Sequence, residues 1–166
     1  MKATRSSKPA PKSKALPALK TTISRILVPV DFSDYSKAAL NYSLELAAKF
    51  DAQIVLAHVV EQMVYPGDWM YPPLAGSEFA VEKKERLLEK LKELTAGASV
   101  KVKHIVKVGR AWHELLEIAK TENVDLIIIA THGYTGLKHV FLGSVAEKVA
   151  RHSSCAVLTV RPGADE

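Results

Sequence analysis

Five short runs of β-forming, mostly apolar residues alternate with four helix-length segments from residue 23 onward, and this alternation limits the possible folds more than any other feature. The runs are RILVPV, AQIVLAHVV, SVKVKHIVKV, VDLIIIA and CAVLTV. Between them stand SDYSKAALNYSLELAAKF, with Leu40, Leu44 and Ala47 on one face and Ser33 as N-cap, then a charged helix near residues 77–94, AWHELLEIAKTEN, and SVAEKVARHS. Strands separated by helices require right-handed crossovers and a mainly parallel sheet covered on both faces. Burial on both faces also explains why all runs but the third are almost wholly apolar. The expected class is α/β, a doubly wound five-stranded parallel sheet.

A chain of 166 residues, 48% of them hydrophobic, suits one buried core. The expected division is a disordered basic tail at 1–22, a folded domain at 23–162 and a short C-terminal tail at 163–166. The net charge of +5 invites a nucleic-acid reading, but six of the 23 Lys and Arg lie in the first 22 residues, which hold no acid. The remaining 144 residues carry 17 bases against 18 acids, so the body is neutral and no specific nucleic-acid partner is expected. The Pro, Ser and Lys-rich tail lacks the apolar surface to fold alone. A weak tether to anionic surfaces and an organellar transit peptide stay open as its alternatives, whereas the apolar region of a secretory signal is missing. No apolar run approaches the roughly 18 residues of a membrane span. The single Cys155 fits a reducing, cytoplasmic setting and reads as a small buried filler between apolar neighbours.

Ligands of doubly wound sheets bind beyond the carboxyl ends of the strands, where the strand order reverses. Those ends carry Asp31, Glu61, Gly109 and the stretch THGYTG. The connection at 61–76, EQMVYPGDWMYPPLAG, exceeds the usual βα loop length, and its Trp69, Met70 and Tyr71 either cover a ligand or pack on the body. No G-x-x-x-x-G-K-[ST] phosphate loop occurs, and PVDFSD stands where a dinucleotide fingerprint belongs. What remains is IATHGYTGLKHVFLGSVAEKVARH, with glycines at 133, 136 and 143 ahead of a helix. Ser144 and Glu147 read as a capping box, and the N–H groups of Ser144 to Ala146, with the helix dipole, suit an anion. Spacing alone leaves a phosphate cradle and a plain capped loop equally open.

ILVPVDFSDYSKAAL, VLAHVV and the run from VKVGRAWHELLEIAKTENVDLIIIATHGYTG to LKHVFLGSVAEKVARHSSCAVLTVRP resemble the universal stress protein family, in the same order, over residues 25–162. The resemblance implies a flavodoxin-like, adenine nucleotide alpha hydrolase-like sheet of strand order 3-2-1-4-5. The nucleotide loop of ATP-binding members reads G-x2-G-x9-G-[ST]. Ala130, Gly133, Gly143 and Ser144 occupy those places, with alanine replacing the first glycine. At negative φ its methyl is tolerated, and at positive φ it costs about 1 kcal/mol.

By resemblance Pro29, Val30 and Asp31 line the adenosine pocket, with Asp31 on the ribose hydroxyls. Val59 meets adenine through its backbone, and Gly133, Gly143, Ser144 and Val145 hold phosphates. His132 either donates to a phosphate or bonds its own loop. Asp31 otherwise serves as a turn or cap residue. The resemblance further implies ATP as ligand, with Mg or Mn on its phosphates, and a homodimer through residues 155–160; covering that apolar edge also removes an aggregation hazard.

The expected crevice has one carboxylate, no Lys in a Gly-rich turn and no second acid beside Asp31, while Asp125 lies at the opposite end of the sheet. Phosphoryl transfer needs more than this. His58, His104, His113, His139 and His152 show no metal-ligand spacing, and His58 reads as a satisfied core histidine. The expectation is an ATP-binding regulatory protein without dedicated catalysis. A dimeric interaction module that binds no nucleotide is the alternative, and a slow ATPase is a third reading.

Overall fold

The structure, a computed structural model, describes residues 22–61, 78–131 and 142–161, and describes residues 78–80 by backbone only. The chain runs β1 (Arg25–Pro29), α1 (Asp34–Phe50), β2 (Gln53–Val60), α2 (Glu78–Glu93), β3 (Val102–Val108), α3 (Ala111–Thr121), β4 (Leu126–Ala130), α4 (Ser144–His152) and β5 (Ala156–Val160). The strands form one sheet of order β3-β2-β1-β4-β5, and every pairing is parallel.

Side chains alternate across that sheet and build two cores. Ile26, Val28, Ile54, Leu56 and Ile128 point to one face, where Leu40 of α1 and Leu91 of α2 cover them. Leu27, Val55, Ile127 and Ile129 point to the other, beneath Leu115 and Ile118 of α3 and Val149 of α4. Central strands buried on both faces cannot spare a polar position, and all five residues of β4 are buried.

The chain passes from β1 outward to β3, then returns to add β4 and β5 on the other side, so the order reverses between β1 and β4. Their pairing is short: Ile26↔Leu126 and Leu27↔Ile127. Beyond it β1 stays with β2 as far as Pro29↔Ala57, and β4 stays with β5 as far as Ala130↔Val160, so the sheet parts at its carboxyl end. Pro29 explains how a proline survives in a central strand. Val30 N–H points to Ala57 O of β2 (2.8 Å), so the preceding residue faces β4, where the ladder has already ended and the missing proline N–H costs nothing.

Ser33 caps α1 as expected, accepting from Ser36 N, and Asp51 closes the helix in the left-handed conformation at φ 51°. Helix α3 stops at Thr121 rather than Asn123, because Asn123 itself turns left-handed at φ 51°. Asp125 lies at the amino end of the sheet, its carboxylate accepting from Ser24 N (2.9 Å) and Arg25 N (3.1 Å). Cys155 is half-buried rather than enclosed, with Sγ 3.4 Å from Ser153 Oγ, because it precedes an edge strand with cover on one side only. Among the described residues, no helix is long and apolar enough to cross a membrane.

Candidate functional site

Where β1 and β4 part, a cavity of about 340 Å³ opens on the face carrying α3 and α4. Its floor is Pro29, Val30, Ala57, Ile129 and Ala130; Val59 and Leu115 give an apolar wall, and Gly143 to Ala146 close the far side. Eight of the residues singled out from sequence therefore meet at one place: Pro29, Val30, Asp31, Val59, Ala130, Gly143, Ser144 and Val145. His132 and Gly133 lie outside the described residues, as do Trp69, Met70 and Tyr71.

The β1–α1 turn sets Asp31. Its carboxylate accepts from Ser33 N (3.0 Å) and from the Ser33 hydroxyl, while its own N–H donates to Ser36 Oγ at 3.3 Å. The turn requires Phe32 at φ 66°, a left-handed conformation that costs an aromatic residue on the order of 1–2 kcal/mol. Packing holds it there: the Phe32 ring lies 4.7 Å from the His58 ring, and His58 Nδ1 stands 2.8 Å from Val30 O. His58 is thus a satisfied structural residue. Backbone strain held in place by neighbours is common at ligand sites.

On the opposite wall, the expected capping box does not form. Gly143 is the N-cap of α4 (φ −61°, ψ 150°), no side chain among the described residues caps the first turn, and Ser144 is the first helical residue. Glu147 instead pairs with Arg151 at 2.7 Å. The helix starts one residue early because Gly143 N–H is drawn onto Thr131 O at 2.6 Å, and a Cβ on Gly143 sits 3.1 Å from that same carbonyl. Glycine is needed there for close approach, not for positive φ. The first-turn N–H groups of Ser144, Val145 and Ala146 have no intrahelical acceptor and border the cavity, at the positive end of the helix dipole.

Ala130 stands in β4 and is absent from the positive-φ residues, so its methyl brings no backbone strain. Its conformation is one alanine adopts freely.

The expectation of a single carboxylate is corrected. Glu61, at the end of β2, lines the same cavity, and its Oε1 accepts from Ala111 N at 3.3 Å, at the start of α3. Ser36, Ala57, Ala111 and Leu115 also line the cavity without having been singled out. Glu61 was visible as a strand-end residue, but its approach to α3 depends on the β2–β3 register, which no local pattern encodes. Among the described residues no cluster of three or more His, Cys, Asp or Glu is placed to hold a metal ion.

The model of the universal stress protein family matches residues 22–161. Universal stress protein MJ0531 of Methanocaldococcus jannaschii is 33% identical over 142 residues, covering 82% of this chain and 81% of that protein. The solved structure of MJ0577, from the same organism, superposes with a TM-score of 0.69 at 31% identity, covering 87% of this chain and all of that one. A universal stress protein in complex with cAMP (TM-score 0.61, 23% identity, 85% of this chain and 98% of that one) shares the fold. So does an Arabidopsis thaliana family protein with AMP bound (TM-score 0.57, 22% identity, 86% of this chain and 94% of that one).

Proposed function

This chain belongs to the universal stress protein family, and from that premise we propose that its crevice binds an adenine nucleotide, ATP. In this reading the protein is a cytoplasmic, regulatory homodimer of the stress response that acts through ligand-dependent conformation or association rather than dedicated catalysis. The carrying observation is the convergence on one cavity of an α4 N-terminus that no side chain among the described residues caps and the Asp31-bearing end of β1. The first offers N–H groups and a positive dipole to phosphates, and the second offers a carboxylate to ribose hydroxyls. Adenine fits between Ala57, Val59 and Leu115, with the Val59 backbone as its polar partner. A volume near 340 Å³ lies within the usual range for small-molecule sites. Family structures holding cAMP and AMP point the same way.

Gly143, Ser144 and Val145 take the phosphates in this scheme, with His132 and Gly133 completing the loop. A Mg or Mn ion rides on the phosphates, since the described residues supply it no cage. The homodimer forms through β5, a sheet edge whose outer side has no strand partner among the described residues.

The test is to denature purified protein, identify any released nucleotide by mass spectrometry, and follow the melting temperature with millimolar ATP. A ligand at 100 times its Kd adds about 2.7 kcal/mol of stability, an easily read shift. No released nucleotide together with no shift overturns the reading in favour of the interaction module, and phosphate release that Asp31→Ala removes favours the ATPase.

A further inference from the structure

We propose that Glu61 makes the crevice selective for adenine nucleotides with unmodified ribose hydroxyls, rejecting those that carry a second phosphate on the ribose. The inference rests on the nucleotide reading above and adds a discriminating residue to it.

Besides the start of α1, which Ser33 caps, two helix N-termini reach the cavity, and they differ. That of α4 is uncapped by any side chain among the described residues, whereas that of α3 is occupied by the Glu61 carboxylate through Ala111 N–H at 3.3 Å. Arg110, the N-cap of α3, makes no side-chain cap of its own, so without Glu61 this end would attract an anion as α4 does. A cavity with two such ends would suit a bisphosphate; Glu61 fills one of them with the protein's own charge.

The placement is held from both sides. Gly109 N–H bonds Val60 O at 3.0 Å, tying the start of α3 to the end of β2. Gly109 adopts φ 153°, and a Cβ there would meet the Glu114 side chain at 3.0 Å, so the connection is short and closely packed. Asp31 lines the same cavity as Glu61. With the 5′-phosphate at α4, the ribose faces the wall that bears both carboxylates. Neutral hydroxyls donate to carboxylates, whereas a 2′- or 3′-phosphate meets like charge and finds the α3 terminus filled.

Isothermal titration of the full chain with 5′-AMP, adenosine 2′,5′-bisphosphate and adenosine 3′,5′-bisphosphate tests this. The wild type should bind AMP at least about tenfold more tightly than either bisphosphate, and the ratio should shrink as salt screens the repulsion. Glu61→Gln, close in shape and able to keep the Ala111 bond, should lower the ratio about tenfold, chiefly by tightening the bisphosphates. Glu114→Gln removes a charge from the first turn of the same helix, at a side chain that does not line the cavity, and should leave the ratio unchanged. A wild type that binds AMP and bisphosphates equally, or a ratio that Glu61→Gln does not move, sinks this inference and leaves the nucleotide reading intact. Binding of neither AMP nor ATP by the wild type sinks both.

Discussion

Gly143 and Ala130 both fall on the glycine pattern that ATP-binding members of the family carry, yet the structure separates their roles. Gly143 has an ordinary φ of −61° and owes its identity to the Thr131 carbonyl, 3.1 Å from where a Cβ would sit. Its neighbour is backbone and yields little. Gly143→Asp is expected to destabilise the protein by about 1–3 kcal/mol through overpacking and to abolish ATP binding by placing a carboxylate in the anion seat. Ala130 is a strand residue at negative φ, so restoring the motif glycine brings flexibility rather than relief. Ala130→Gly should cost about 0.5–1 kcal/mol in a melt and leave ATP affinity within about threefold by titration. A gain above tenfold would show that the methyl obstructs the ligand. That Asp31 and the Gly143 region border one cavity was legible in the sequence because strand ends are legible. The α4 cap was not, because an S-x-x-E pattern carries no sign of the bond from Gly143 to Thr131, made on the far side of a loop.

Among the elements, the alternation of strands and helices was the most legible feature, since it follows from periodicity, whereas the strand order was implied only by the family resemblance, because crossover handedness leaves several orders open. Element ends were less so, because long-range contacts decide them: Asp125 leaves the strand to bind Ser24 and Arg25, and β4 begins at Leu126. The third strand read as exposed at its start, and its burial pattern is correspondingly mixed. On it His104 sits 2.8 Å from Thr95 Oγ1, just beyond α2, and burial, with Lys92 adding to it, lowers its pKa below the usual 6.5. The folded state therefore prefers neutral His104. This contribution is complete above the unfolded value of 6.5 and is lost as pH falls from there through the lower folded value. Urea midpoints measured at about pH 7.5 and about pH 5.5 should fall further on acidification in the wild type than in His104→Gln. Equal losses would assign the acid sensitivity to other groups.

At the scale of the molecule, the excess positive charge belongs to residues 1–22, and the first described long-range tie of the chain is Ser24 N–H on Asp125. Deleting residues 1–22 should shift the melting temperature by less than about 2 °C, and the shortened protein should still elute at twice the mass of one chain. Elution as a monomer would refute either the β5 interface or the independence of the tail. The two cores were foreseeable from the strands' double-sided apolar character, but the crevice was foreseeable only as a location; its second carboxylate required knowing what stands opposite β2. The short ladder between β1 and β4 has a mechanical meaning. Strands β3, β2 and β1 form one plate and β4 and β5 another, and at their junction only two residue pairs are in register. A molecule lodged in the gap touches both plates, so it serves as mortar in an open seam and stiffens the sheet where its own bonding is thinnest.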